Sequence, residues 1–105
     1  MDWRWQSFEQ LHQTELYAIL RARQEVFVVE QKIRYVDADG KDLSAFHLSG
    51  WQGSELAAYL RVIPLDKGPL YKIGRVLTRG PFRGQGQGEA ILQELLRRVE
   101  RDLAP

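Results

Sequence analysis

Apolar residues along this chain recur with two different periods, which separate predicted strands from predicted helices. Trp3 and Trp5 alternate with polar residues and indicate a short first strand, since every second residue of a strand points to the same face. After a predicted N-cap at Thr14, apolar residues recur at the spacings of an amphipathic helix, with a break at Arg23: Leu16, Ile19, Leu20, Val26 and Phe27. The run VFVVE either continues this helix or forms a second short one.

A second helix is predicted near the C-terminus, and three more strands lie between the helices. From Glu89 onward the helical stripe consists of Ile91, Leu92, Leu95, Leu96, Val99 and Leu103. FHLSGW and ELAAYLRVI are strand-like runs joined by QGS, which is typical of a hairpin turn. LYKIGRVLT is rich in Val, Ile and Tyr and predicts a fourth strand, in which Gly74 indicates a bulge or a close approach of another backbone.

The order of the elements predicts the class of fold. A strand, a helix, three strands, a glycine-rich loop and a helix follow one another along the chain. This order predicts one α/β (α+β) domain over residues 1–105, with a mixed, mostly antiparallel central sheet flanked by helices. Hydrophobic residues at 44% and charged residues at 28% agree with an ordinary globular domain.

Composition excludes several kinds of site. The chain has no cysteine, which excludes a disulfide framework, a thiolate metal site and a cysteine nucleophile. The acidic stretch YVDADGKDLS lacks the glutamate that a calcium loop needs at its last position, where Leu48 stands, so no metal site is expected. The N-terminus does not resemble a signal peptide and no apolar run reaches about 20 residues, so we expect a cytoplasmic protein without a membrane partner.

Charge is distributed unevenly around a glycine-rich loop. Residues 1–60 carry six Lys/Arg and nine Asp/Glu, a balance of −3, whereas residues 61–105 carry nine and five, a balance of +4. RGQGQG lies in this basic half, directly in front of the second helix. Glycines without a Cβ, free N–H groups and the positive end of a helix together favour a phosphate. Chance clustering of surface charge and a plain helix entry remain alternatives.

The same residues resemble a known family. RGQGQG follows the strand GRVLT and is similar to the R/Q-x-x-G-x-G/A signature of the GNAT N-acetyltransferases, with Arg83, Gly86 and Gly88 at its fixed positions. Five earlier segments resemble the ElaA-like branch of that family in order along the chain: ELYAILRARQEVFVVEQ, YVDADGKDL, HLSGW, LAAYLRV and IGRV.

The resemblance implies a GNAT fold that binds acetyl-CoA and transfers its acetyl group by direct attack of an amine, from a small molecule or a peptide. It implies that backbone amides of the loop hold the coenzyme A pyrophosphate: Arg83, Gly84, Gln85, Gly86, Gln87 and Gly88. It also implies that the main chain of the preceding strand pairs with the pantetheine arm: Val76, Leu77 and Thr78. No residue matches the tyrosine acid of the family, so the catalytic residues are unassigned.

The resemblance ends with the second helix, and this affects the expected assembly. Members of the family continue with further strands and a helix, so a C-terminally truncated fold is expected. LYKIGRVLT is then an open edge strand, and we expect a homo-oligomer or a partner that completes the sheet. The alternative function is a non-catalytic module that binds coenzyme A or oligomerises. A nucleic-acid binder is disfavoured, because the net charge is only +1 and only Phe82 is interleaved with the arginines.

Structural or surface positions, rather than catalytic roles, are expected for the remaining polar and aromatic side chains. His47 is expected to be a core or edge histidine rather than a base, and Glu25 and Glu30 to lie on a solvated helix face. Ordinary loop solvation is expected for three aspartates, and core or rim positions for three tryptophans: Asp37, Asp39, Asp42, Trp3, Trp5 and Trp51. An exposed helix face with intrahelical ion pairs is expected for Glu94, Arg97, Arg98, Glu100 and Arg101.

Overall fold

A four-stranded antiparallel sheet lies at the centre of the computed structural model, which describes residues 1–66 and 70–103. Its spatial order β1-β2-β3-β4 is also the sequence order, and the strands are β1 (Asp2–Ser7), β2 (Phe46–Gln52), β3 (Glu55–Pro64) and β4 (Tyr71–Thr78). Gln52 pairs with Glu55, so the predicted hairpin turn is confirmed, and Gly53 takes a left-handed φ of 62° there. The predicted class, helices around a mostly antiparallel sheet, is confirmed.

Two helices flank this sheet: α1 (Gln13–Arg23) and α2 (Gln87–Asp102). A π-helical segment (Gln24–Glu30) continues α1 and contains the VFVVE run, and short 3-10 turns occur at Phe8–Gln10, Lys41–Ser44 and Gly80–Phe82. No helix in the part of the chain that the structure describes is long and apolar enough to cross a membrane.

The predicted helix starts are each wrong by two residues. His12, not Thr14, caps α1: its Nδ1 accepts from the Thr14 amide at 3.3 Å, and its own amide donates to the Glu15 carboxylate at 2.8 Å. This is the reciprocal arrangement of a capping box, with an imidazole in the place of the usual hydroxyl. α2 begins at Gln87 instead of Glu89, because Gly86, with φ 76°, already serves as its N-cap.

The core has two layers, one on each face of the sheet. On the α1 face, residues of α1 and of the π-helical segment pack against residues of β2, β3 and β4. This cluster consists of Ile19, Ala22, Val26, Phe27, Trp51, Leu56, Tyr59 and Leu77. On the other face, α2 packs against the sheet through Ile91 and Leu95. The cluster also contains Leu48, Ala58, Leu60 and Val62, with Trp3, Trp5 and Phe46 at its margin. The expectation that the tryptophans are core or rim residues is confirmed.

Only part of the predicted α2 stripe is buried. Leu92 and Leu96 are 47% and 67% exposed. On the polar face of the helix, Glu94 is buried rather than exposed, and it accepts from both Arg97 and Arg98 at 2.6 to 3.1 Å. The intrahelical pairs are therefore confirmed at Glu94, while the exposure expected for that carboxylate is wrong.

Strand β4 contains a bulge and lies at the edge of the described sheet. Gly74 pairs with Arg61 and Leu77 pairs with Tyr59, so Leu60 alone faces both Arg75 and Val76. The extra residue lies directly after Gly74, where the sequence indicated an irregularity, and Arg75 takes a left-handed φ of 52°. Among the described strands, β4 pairs only with β3, which leaves its other edge open as expected.

Candidate acyl-CoA site

The glycine loop links the end of β4 to the start of α2. Gly84 and Gly86 have φ values of 78° and 76°, a region that L-residues with a side chain rarely adopt. A Cβ at Gly84, Gly86 or Gly88 would meet no atom within 4 Å, so this surface is open to a ligand. The loop leads into the first turn of α2, where backbone N–H groups and the helix dipole favour an anion.

The arginine of the loop connects three parts of the site. Arg83 donates from Nε to the Thr78 carbonyl at 3.0 Å and forms an ion pair with Glu30 at 2.6 Å. Its amide donates to the Gly80 carbonyl at 3.2 Å, so this backbone group is already used inside the 3-10 turn. Arg83 therefore presents a half-exposed guanidinium to the loop, and the residues beyond it present the backbone.

A second ion pair joins the π-helical segment to the end of β4. Arg79 approaches Glu25 at 3.5 Å and donates to the Leu56 carbonyl at 3.0 Å, and Arg21 also pairs with Glu25 at 3.2 Å. The carboxylates of Glu25 and Glu30 are 39% and 44% exposed. They lie on a partly solvated helix face, as expected, but each also binds an arginine beside the glycine loop, which the sequence reasoning missed.

The predicted strand residues lie immediately beyond the bulge. Val76 is 45% exposed, whereas the next side chain, Leu77, is buried in the α1-face core. Thr78 pairs with Ala58, and its carbonyl accepts from Arg83. This part of the β4 edge therefore runs directly into the glycine loop.

Beside the bulge, three arginines and three aspartates alternate in a closed circuit of ion pairs, termed here the Arg–Asp ring: Arg23, Asp37, Arg75, Asp39, Arg61 and Asp42. Each arginine pairs with two aspartates and each aspartate with two arginines, at distances from 2.7 to 3.4 Å. The arginines come from the end of α1, from β3 and from the bulge of β4, and the aspartates come from one loop. The ring therefore connects these elements on one side of the sheet.

The expectation of ordinary loop solvation is wrong for Asp37 and Asp42, while Asp39 keeps an exposed position and is paired with two arginines. Asp37 and Asp42 are 8% and 6% exposed, and Arg23 is fully buried. Burial alone would raise the pKa of Asp42, but hydrogen bonds and charges from Arg23 and Arg61 outweigh it and hold that pKa below its ordinary value. The hydrogen bond from Arg61 holds the pKa of Asp39 far below the ordinary range. Asp39 and Asp42 are therefore charged partners of the arginines, and Asp37 binds Arg23 and Arg75 in the same ring.

A buried histidine–tyrosine pair attaches to the ring. His47 Nε2 lies 3.0 Å from the Asp42 carbonyl, an acceptor, so Nε2 carries the proton and Nδ1 accepts from the Tyr59 hydroxyl at 2.7 Å. Burial lowers the pKa of His47 and raises that of Tyr59, which favours the neutral form of both rings. The expectation that His47 is a structural histidine rather than a base agrees with this geometry.

Comparisons with known proteins agree on one family. The family model "Acetyltransferase (GNAT) family" matches residues 1–103. A UPF0039 protein of Synechocystis sp. is 38% identical over 104 residues, which cover 97% of this chain and 68% of that protein.

Two crystal structures resemble the chain closely. An acyl-CoA N-acyltransferase from Pseudomonas aeruginosa has 42% identity and a TM-score of 0.87, with 95% of this chain and 70% of that one covered. ElaA of Escherichia coli has 35% identity and a TM-score of 0.89, with 96% and 70% covered. The chain thus spans about two thirds of the length of such relatives, and the resemblance to the ElaA-like branch is confirmed.

The lowered pKa of His47 predicts how stability depends on pH. Below about pH 6.5 the unfolded chain binds a proton on this side chain that the folded chain does not, so the free energy of unfolding should fall as the pH decreases. The slope has an upper limit of about 1.4 kcal/mol per pH unit, the value for one proton, and is measured by urea denaturation between about pH 7.5 and 5, above the range of the carboxylates.

His47→Gln should remove this slope, whatever it does to the absolute stability. His12→Ser, which keeps an acceptor at the cap of α1, should retain it. A slope that is equal in the two variants would contradict the assignment of the pH dependence to His47.

Proposed function

This chain belongs to the GNAT acetyltransferase family, and from that premise we propose that it binds acetyl-CoA and transfers the acetyl group to an amine of a small molecule or peptide. The observation that carries the proposal is the glycine loop, which has two left-handed glycines and open space on its surface and leads into the start of α2. Members of this family generally bind acetyl-CoA or another acyl-CoA.

The residues of the site suit two different parts of such a cofactor. Backbone amides from Gly84 to Gly88 would hold the pyrophosphate, and the Arg83 guanidinium would add a charge-assisted hydrogen bond. The open β4 edge from Val76 to Thr78 would pair with the amides of the pantetheine arm, as an added strand does. A Cβ at any of the three loop glycines would project into open space on the side where we propose that the cofactor binds.

Bound acetyl-CoA supplies a thioester-activated acetyl group, and this chain holds and orients it. We propose that the acceptor amine takes the acetyl group directly, without a covalent intermediate on the protein, in agreement with a sequence that has no cysteine. Tyr59 and His47 are bonded to each other in the core and have a structural role. The general base and general acid are unassigned.

A charge placed in the first turn of α2 tests the cofactor site without disturbing the fold. A Cβ on Gly88 meets open space, and a carboxylate near a helix N-terminus is favourable, so Gly88→Glu should melt at the same temperature as the wild type or slightly higher. Acetyl-CoA at about 100 times its dissociation constant should stabilise the wild type by about 2.7 kcal/mol in a thermal melt, and the variant should lose this shift.

Gln93→Glu is the matched control, since it adds the same charge at an exposed position further along α2 and should keep the shift. Equal stabilisation of Gly88→Glu and the wild type would refute the loop as the pyrophosphate site. Release of free thiol when amines are added distinguishes transfer from the alternative function, a module that binds coenzyme A without turnover.

The Glu30–Arg83 ion pair predicts competition between the protein's own carboxylate and the cofactor. Because the Glu30 carboxylate lies 2.6 and 3.4 Å from the two terminal nitrogens of the guanidinium, an incoming phosphate competes with Glu30 for the same group. Glu30→Gln should therefore bind coenzyme A about two- to fivefold more tightly, as expected from the modest energy of a half-exposed ion pair. Titration calorimetry measures the change, and Glu25→Gln, which frees Arg79 rather than Arg83, should bind as the wild type does. Weaker binding by Glu30→Gln would contradict the competition.

We further propose that a second copy of the chain covers the first part of the open edge of β4, Tyr71–Gly74. Ile73 and Val76 on this strand are 48% and 45% exposed, and Leu92 and Leu96 on α2 are exposed as well. Such an edge with apolar side chains readily pairs with another strand. Light scattering should give at least twice the 12.2 kDa mass of one chain, and Ile73→Lys should shift the mass toward one chain. A single-chain mass for the wild type would reject this assembly.

A further inference from the structure

Arg75 has a backbone conformation that is unusual for its residue type. Its φ of 52° is left-handed, which places an L-residue in a strained region that glycine adopts freely. The residue lies in the β4 bulge, between Gly74, which pairs with Arg61, and Leu77, which pairs with Tyr59. Something in the surrounding structure therefore has to hold this conformation.

The side chain of Arg75 provides the anchor. Its Nε donates to Asp37 Oδ1 at 3.0 Å, and its terminal nitrogen donates to the Asp37 carbonyl at 3.1 Å and to Asp39 Oδ2 at 3.4 Å. The guanidinium also lies 4.4 Å over the ring of Tyr35. With only 15% of its surface exposed, the side chain fixes the bulge to the loop that carries these residues.

The anchored bulge determines the direction of the strand that follows it. A bulge bends its strand and increases the local twist, and here the bend comes directly before the Val76–Thr78 edge. The glycine loop lies beyond Thr78 and has supports outside this edge: Arg83 pairs with Glu30 of the π-helical segment, and Arg79, before the loop, donates to the Leu56 carbonyl. The strand edge and the loop are therefore positioned by different contacts.

We propose that Arg75 is a positioning residue for the pantetheine part of the site: its bonds to Asp37 and Asp39 aim the Val76–Thr78 edge so that it pairs with the amides of the cofactor arm. This inference rests on the proposed function. It assigns a role to a residue that does not touch the cofactor and acts through the backbone next to it.

The proposal separates two ligands that differ only in the arm. Coenzyme A spans both the loop and the strand edge, whereas adenosine 3′-phosphate 5′-diphosphate has the same nucleotide and pyrophosphate without pantetheine. Loss of the anchor should lower the affinity for coenzyme A and leave the affinity for the ligand without the arm nearly unchanged. A general loss of structure would weaken both, so the ratio of the two affinities reports positioning rather than stability.

Arg75→Gly is the decisive variant, because glycine accepts the left-handed φ and only the anchor is lost. The rest of the ring retains its pairs, since Asp37 still binds Arg23 and Asp39 still binds Arg61. Calorimetry should show coenzyme A binding about tenfold more weakly, the equivalent of one or two hydrogen bonds, and the affinity for adenosine 3′-phosphate 5′-diphosphate should change less than about twofold. Arg75→Lys keeps the charge but not the paired donors, so its affinity for coenzyme A should lie between those of the wild type and Arg75→Gly.

Lys32→Gly is the matched control. Lys32 is exposed and has a φ of 55°, so the variant relieves the same backbone strain away from the ring, and both affinities should remain those of the wild type. Wild-type affinity of Arg75→Gly for coenzyme A would overturn the proposal, as would equal weakening of both ligands. If Arg75→Gly does not fold, the same ratio in Arg75→Lys decides. A wild-type chain that binds neither ligand would instead refute the proposed function, and the inference with it.

Discussion

The Arg–Asp ring is the constraint on which the arrangement of this fold depends. Removing one charge from water costs several kcal/mol, and an isolated buried arginine such as Arg23 would destabilise the domain. Here every charge meets two of opposite sign, so three arginines and three aspartates balance one another within one cluster. The loop that carries the aspartates takes its conformation from this requirement, because each carboxylate has to lie between two fixed guanidinium groups.

The ring also connects elements of the fold to the candidate site. It starts at the end of α1, where the π-helical segment begins, and it reaches the bulge of β4 through Arg75. His47 extends the same network into β2 through its bond to the Asp42 carbonyl. Arg75 of the ring thus anchors the strand edge through the bulge, whereas the loop is held by Glu25 and Glu30, which follow Arg23 along the chain and pair with Arg79 and Arg83.

Sequence periodicity predicted the strands, the helices and the class of fold, because apolar spacing reports which face of each element is buried. The glycine loop was recognisable because its residues are adjacent in the sequence. The ring could not be predicted in this way, since its partners are as far apart as Asp37 and Arg75 and no local pattern pairs them. A signal was nevertheless present: Arg23 interrupts a helical stripe, and Arg61 lies inside an apolar strand. A charge at a position where the pattern requires an apolar residue implies a buried partner.

The open β4 edge has two proposed partners, and the bulge separates the parts of the edge that they would use. Unpaired N–H and C=O groups along an edge require partners, and the proposed second copy and the proposed cofactor would both supply them. A regular strand would offer one uninterrupted ladder on which the two compete. The bulge at Arg75 instead interrupts the ladder and divides the edge into Tyr71–Gly74 and Val76–Thr78. Only the second part leads into the glycine loop, so the first is the part that a protein strand can pair with while a cofactor is bound.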